Sequence, residues 1–194
     1  MTVGALAWEE ASSMADDAGS DEALMVRFRG GDRQAFDELF RRHAAPLTSY
    51  LTRLTGSAAA AEDAVQLTFL SVIRSRDQFL SGSRVKPWLY AIASNAARDR
   101  HRRTRRESSG PDDAVEAGLD AVHGDAGLRR RLLEALQRLP EPQREAVILH
   151  RLEGWSFAEI AEAVGASETA VKVRAFRGTQ VLREELKDVW EFES

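Results

Sequence analysis

The sequence predicts an all-α chain of two small helical units joined by an acidic linker. Three observations carry that prediction. Apolar residues recur at three- and four-residue spacing along most of the chain, and no alternating strand pattern interrupts them. Between Ser156 and Leu186, two short amphipathic segments flank the three-residue turn Gly165-Ala166-Ser167. Charge is segregated as well: Arg84, Lys86, Arg98, Arg100, Arg102, Arg103, Arg105 and Arg106 face a single acid, Asp99. The next stretch carries Glu107, Asp112, Asp113, Glu116, Asp120 and Asp125 with no Lys or Arg.

Residues 1–20 are small, polar and mildly acidic apart from Trp8, which reads as a disordered or loosely docked extension. The first unit spans 21–106. Leu24, Met25 and Phe28 give a short helix over 21–29, stopped by Gly30-Gly31. Asp32 caps a long helix carrying Phe36, Leu39, Phe40, His43, Leu47, Tyr50, Leu51 and Leu54 on one stripe. Pro46 within it predicts a kink or break near His43, since proline removes a helical hydrogen bond. His43 lies on the apolar stripe without ligand-spaced partners, so it reads as a buried, hydrogen-bonded histidine. A third helix over 58–76 buries Ala61, Val65, Thr68, Phe69 and Val72 and turns Glu62, Asp63 and Gln66 outward. Residues 79–84 form a loop. Pro87 suits the first turn of a fourth helix, apolar at Trp88, Leu89, Ile92, Ala93 and Ala96, which runs to about Arg106. Its closing arginines exceed what a helix C-terminus uses and predict a phosphate-binding surface.

Residues 107–127 lack an apolar stripe and hold Gly110, Gly118, Gly124 and Gly127, the composition of a flexible linker. The second unit spans 128–194. Leu128, Leu132, Leu133, Leu136 and Leu139 define a helix ended by Pro140. Pro142 opens another, with Val147, Ile148 and Leu152 inward and Gly154 at its end. Ser156 and Glu159 then form a capping box, Ile160, Ala161 and Val164 face inward, and Gly165 takes the left-handed closing position. Ser167 caps a last helix with Ala170, Val171, the stem of Arg174 and Ala175 inward; Glu168, Thr169, Lys172, Val173, Phe176 and Arg177 stay outside. This is helix-turn-helix geometry: the second helix offers Lys172, Arg174 and Arg177 to phosphates and its first turns, from Ser167, to base edges. The same turn also occurs in plain helical hairpins, so the basic fourth helix weighs in the choice. Trp190 and Phe192 read as an aromatic pair folding back on this unit.

With 194 residues the chain is long enough for two small domains, and no apolar run reaches membrane-spanning length. Its N-terminus lacks the pattern of a signal peptide, and a cytoplasmic protein is expected. Cysteine is absent, which excludes disulfides, thiolate metal sites and cysteine nucleophiles. No glycine-rich phosphate loop or HExxH motif occurs, and the four histidines are scattered, so neither an enzyme nor a cofactor or metal protein is expected. The net charge of −4 does not oppose nucleic-acid binding, because local fields rather than averages attract a polyanion.

Four segments in order add a resemblance. Ala61 to Leu70 (AEDAVQLTFL) resembles the AEDLVQETFL signature of bacterial extracytoplasmic-function (group 4) sigma factors of the sigma-70 family. Trp88 to Asn95 (WLYAIASN) resembles their WLYRIARN segment, Leu139 to Leu149 their LPxxxRxVxxL, and Trp155 to Ala163 their GxSxxEIAxxLG. The likeness covers about residues 21–186.

It implies a transcription initiation factor that binds core RNA polymerase, directs it to promoters and opens the −10 element. The first unit would be sigma region 2, with Glu62, Asp63 and Gln66 toward the clamp helices of the β′ subunit. Trp88, Asn95, Arg98, Arg102 and Arg103 would lie along the −10 strand and its upstream duplex, and the loop of residues 79–84 would receive a flipped base. The second unit would be region 4, binding the β flap and, through Ser167, Glu168, Thr169, Lys172, Arg174 and Arg177, the −35 element. Leu67, Val85, Val173, Gly178 and Thr179 depart from the common residues. The family also implies an anti-sigma factor as partner. The alternative is a helix-turn-helix regulator with a helical sensor domain, which leaves the Glu62/Asp63/Gln66 face and the arginine-rich helix without a role.

Overall fold

A computed structural model describes residues 19–80, 82–107 and 126–187; of residues 101, 103–107 and 126 only the backbone is described. The expected N-terminal extension, most of the linker and the Trp190/Phe192 tail lie outside the described residues. Everything described is helix, turn or connecting segment, without a strand.

Helix α1 (Asp21–Arg29) starts where Ser20 accepts a hydrogen bond from the Ala23 amide, and buries Leu24, Met25 and Phe28. Helix α2 (Arg33–Thr55) is capped by Asp32, which accepts from the Gln34 and Ala35 amides, and ends at Gly56 in the left-handed conformation. It runs through Pro46 as one continuous helix, so of the expected kink or break the break does not occur. The lost hydrogen bond is outweighed by burial of Leu39, His43, Leu47, Tyr50 and Leu51 on both sides of the proline. His43 is buried and meets Asp21 at 2.6 Å across the α1–α2 contact.

Helix α3 (Ala58–Ser75) follows its cap Ser57, and a single 3-10 turn (Arg76–Gln78) continues it. The expected inward set, Ala61, Val65, Thr68, Phe69 and Val72, is buried together with Ala64. Phe40 is half exposed at the stripe's edge, leaning on Phe69 at 4.7 Å. Helix α4 (Val85–Glu107) begins three residues before Trp88, where the Val85 amide donates to Glu22.

The second unit begins with α5 (Ala126–Arg138), which takes up Ala126 and Gly127 from the expected linker. Helix α6 (Glu141–Val147) widens into a π-helical turn over Ile148–Leu152. That turn corrects the reading of Leu152, which is exposed, while Leu149 is buried in its place. An i→i+5 bond, Glu153 N–H to the Ile148 carbonyl, inserts an extra residue per turn and rotates the stripe. Helices α7 (Phe157–Val164) and α8 (Glu168–Glu185) form the helix-turn-helix.

The two units pack on each other. Helix α2 lies against α5, α6 and the wide turn, and α4 against α7. One apolar core runs through both, with Tyr50 against Tyr90 and Tyr90 against Trp155 at ring separations of 5.0 and 4.7 Å.

Candidate nucleic-acid and polymerase interface

The outer face of α3 follows from helical phase. With Ala61, Ala64, Val65 and Thr68 buried, Glu62, Asp63 and Gln66 are forced outward, and all are exposed. Glu62 and Gln66 share one stripe. Asp63 turns toward α4 and pairs with Arg100 at 3.2 Å. Beside them Leu67, Leu70 and Ile73 are also exposed, so an apolar strip borders the acidic one. That strip includes the leucine that replaces the family's usual acid.

In the helix-turn-helix, Ser156 accepts from the Glu159 amide while the Glu159 carboxylate accepts from the Ser156 amide at 2.9 Å. Those hydrogen bonds hold the Glu159 carboxyl below its ordinary pKa. Gly165, at φ 64°, turns the chain, and Ser167 caps α8 on the Ala170 amide. Val171, Ala175 and Gly178 are buried. Glu168, Thr169, Lys172, Val173, Phe176 and Arg177 face solvent, and Arg174 is half-buried as its inward stem requires. Lys172 is braced by Glu168 at 2.6 Å and stands 5.7 Å over the Phe157 ring. The departure at Gly178 has a packing cause. A Cβ there would lie 2.7 Å from Cγ2 of Val147, so glycine allows α8 to press on α6.

The α4 surface is arranged differently. Trp88 is half-buried, edge-on to Phe79 at 5.2 Å. Val85 is buried, so the loop ahead of α4 presents Leu80 and Arg84 rather than a side chain at position 85. Asn95 is exposed and accepts from Arg98 at 3.1 Å. Arg98 itself reaches across to the second unit, donating to Glu141 and Glu145 at 2.5 Å each. Glu145 is buried and also accepts from the Tyr50 hydroxyl at 3.1 Å, while Tyr50 shares a hydrogen bond with Ser94 at 2.7 Å. Arg102 is exposed and pairs with Asp99. The side chain of Arg103 lies outside the described residues.

More contacts join the units. Arg53 meets Glu153 at 2.6 Å, and Arg84 meets Glu159 at 3.2 Å and Glu162 at 2.5 Å. Arg144, the arginine of the LPxxxR segment, donates to the Leu54 carbonyl at 2.9 Å, and Gln137 donates to the Arg53 carbonyl at the same distance. Lys86 stands 4.8 Å over the Trp155 ring. Burial pushes the Glu153 carboxyl above its ordinary value, against the pull of Arg53 and Lys86. No spacing in the sequence signals these contacts, because the partners lie 43 to 100 residues apart.

Comparison with known proteins agrees with this geometry. The sigma-70 region 2 family matches residues 39–107, and the sigma-70, region 4 family matches residues 129–181. The chain is 47% identical over 168 residues to the RNA polymerase sigma factor CarQ of Myxococcus xanthus, covering 85% of this chain and 97% of that protein. It is 37% identical over 159 residues to the ECF RNA polymerase sigma factor SigM of Mycobacterium tuberculosis, covering 81% and 80%. Among solved structures it is similar to the sigma factor RpoE of Bartonella quintana in complex with the anti-sigma factor NepR. The TM-score is 0.70 at 30% identity, over 78% of this chain and 96% of that one. It is also similar to CnrH in complex with the cytosolic domain of CnrY, at TM-score 0.66 and 26% identity, over 90% and 99%.

Proposed function

The chain belongs to the extracytoplasmic-function sigma factors of the sigma-70 family, and we propose that its two helical units divide promoter recognition between them. As an alternative sigma factor it binds core RNA polymerase and directs it to specific promoters. Sigma factors are initiation factors rather than enzymes, so its work is binding and strand separation. In this division, residues 21–106 form the unit that holds polymerase and the −10 element, residues 107–127 the linker, and residues 128–194 the unit that holds the −35 element.

The observation that best supports the reading is the simultaneous outward placement of two unlike surfaces. One is the α3 face of Glu62, Asp63 and Gln66, the other the α8 face of Glu168, Thr169, Lys172 and Arg177. An acidic face suits the basic clamp helices of the β′ subunit, and the exposed leucine–isoleucine strip gives that contact an apolar border. Lys172, Arg174 and Arg177 suit −35 phosphates, with Ser167, Glu168 and Thr169 toward base edges. Trp88, Asn95, Arg98, Arg102 and Arg103 serve the opened −10 strand and its upstream duplex. An indole stacked on an unpaired base contributes about 1–3 kcal/mol. The structural neighbours bound to anti-sigma factors support a partner of that class for this chain too. Among the described residues no helix is long and apolar enough to cross a membrane.

Run-off transcription with core polymerase over a genomic promoter library tests the activity and yields the promoter. For the polymerase face, Glu62→Lys with Asp63→Lys weakens core binding and leaves the melting temperature nearly unchanged, since an exposed pair such as Asp63–Arg100 is worth at most about 1 kcal/mol. Unaltered affinity in a core-binding titration removes α3 from the interface.

A further inference from the structure

Helix α4 starts without a cap of its own. Arg84, the residue ahead of it, has no acceptor in its side chain, and its guanidinium is taken by Glu159 and Glu162. Pro87 brings no amide, and the Trp88 amide reaches the Arg84 carbonyl only at 3.5 Å. The acceptor that this first turn lacks comes from 63 residues earlier: a carboxylate oxygen of Glu22 accepts from the Val85 amide at 2.9 Å. Glu22 lies in the first turn of α1, so one carboxylate sits at the N-terminal ends of two helices, where backbone amides favour a negative charge. Its backbone is fixed. Asp21 beside it meets His43 at 2.6 Å and Arg42 at 3.1 Å on α2, and Leu24, Met25 and Phe28 bury the inner face of α1. The Glu22 side chain itself is exposed, so it fills no core.

We infer that Glu22 is a positioning residue for strand opening: it caps α4 from α1 and so fixes the backbone that carries Trp88. This rests on the assignment of Trp88 to the opened −10 strand. Trp88 follows Val85 by three residues, within the same first turn. Its indole is half-buried and edge-on to Phe79, so packing holds one side of the ring and the helix start sets where the other side points. An uncapped first turn frays, and a stacking group on a frayed turn loses the alignment that an unpaired base requires. Glu22 supplies that support from the second layer, through the Val85 amide, and does not itself touch the strand. Its acceptor and its charge are separable, because glutamine keeps an amide-facing oxygen and loses the charge.

The test uses the full-length chain assembled with core RNA polymerase, on the promoter recovered by the run-off selection. The parent is compared with Glu22→Ala, with Glu22→Gln, and with Trp88→Ala alone and combined with Glu22→Ala. Permanganate reactivity of the −10 thymines against time gives the opening rate, and a gel shift on duplex promoter gives capture. Amide hydrogen exchange of the free chain, followed by NMR, reports the Val85 hydrogen bond. Glu22→Ala slows opening about three- to tenfold, within the range of a lost helix cap, and exchanges the Val85 amide faster. Its capture and core affinity stay at the parent's values. Glu22→Gln recovers most of the opening rate and of the Val85 protection. Beside Trp88→Ala, the substitution at 22 adds less than it does alone, because both act through one group. Glu22→Gln as slow as Glu22→Ala, with Val85 still protected, overturns the inference by making the charge what matters. Unchanged Val85 exchange in Glu22→Ala, or faster exchange with opening at the parent's rate, overturns it and leaves the −10 assignment standing. Parallel loss of opening, capture and core affinity overturns it by making Glu22 a residue of the fold alone. Full additivity with Trp88→Ala overturns the positioning of that indole. Opening at the parent's rate by Trp88→Ala alone overturns the −10 assignment of Trp88, and the inference with it.

Discussion

Arg98 on α4 and Arg177 on α8 are both proposed to meet promoter DNA, yet one stands among the carboxylates of Glu141 and Glu145 and the other stands in solvent. The contrast follows from where each helix lies. Helix α4 shares with α2 the wall on which the second unit packs, so its cations meet that unit's acids. Helix α8 buries its inner stripe, Val171, Ala175 and Gly178, and leaves Arg177 on the opposite, exposed face. An arginine that serves two masters, a protein carboxylate and a nucleic-acid phosphate, reports on both when it is removed. An arginine with only solvent around it reports on the nucleic acid alone.

The largest effect therefore belongs to Arg98→Ala, and it is on stability. The substitution leaves the buried Glu145 carboxylate with only the Tyr50 hydroxyl for a partner. Breaking a fully buried pair costs about 3–5 kcal/mol; with Arg98 about a third exposed, roughly 2–3 kcal/mol is expected in urea unfolding. Arg98→Ala with Glu145→Gln recovers part of the loss, because no uncompensated charge remains. A single variant that unfolds like the parent removes the cross-unit pair from the stability of the chain.

Trp88→Ala comes next and sharpens the comparison at the other end of α4. The indole contacts Phe79 edge-on but is only half-buried. It spares promoter capture and slows opening, and a template with a pre-melted −10 bubble restores it. The loss is about 1–3 kcal/mol if one base stacks on the ring. Permanganate footprinting of thymines on duplex and bubble templates separates this from packing. Equal failure on both templates, with a lowered melting temperature, makes the indole a core residue.

Arg177→Ala is the solvent-side counterpart. Stability changes by less than about 0.5 kcal/mol, because among the described residues nothing leans on the exposed guanidinium. Duplex −35 binding weakens across all sequences, and its salt slope falls by about 0.9 for one lost phosphate contact. A variant that instead changes sequence preference without changing the slope places Arg177 on a base edge.

How much of this was legible in the sequence divides along the same line. The α8 face was read residue by residue, because capping at Ser167, the left-handed Gly165 and helical phase are all local. The α3 face was legible for the same reason. What escaped are features set by distant residues: Leu152 turned outward by a π-helical turn, Pro46 carried inside a continuous helix by burial on both sides, and the occupation of Arg84 and Arg98 by acids from the other unit. Glu141, Glu145, Glu159 and Glu162 carry no one-dimensional mark of that role. Glu159 was legible only as a cap, which it also is. Segregated charge in the chain hinted at a basic surface but not at what covers it.

The smallest effect concerns two carboxylates of the second unit that face it with opposite titration. Glu153, buried beside Arg53 and Lys86, has its carboxyl pushed up by burial, so the packed chain binds its proton more readily than the unfolded chain. Its contribution to stability is fully present below the ordinary carboxylate value and is lost as pH rises through the raised one. Glu159 is held down by its hydrogen bonds from Ser156 and by Arg84 and Lys86. Its contribution is present above the ordinary value and is lost as pH falls through the lowered one. Glu153→Gln imitates the protonated form, so at pH 7 the variant is as stable as the parent or slightly more so, and the difference vanishes on acidification. Glu159→Gln loses a little at pH 7 and nothing at low pH. Urea midpoints for both variants and the parent, taken from pH 3.5 to 7.5, decide it. If Glu153→Gln costs stability at neutral pH, the Arg53 pair outweighs the burial of Glu153, and that part of the contact between the units is held by charge.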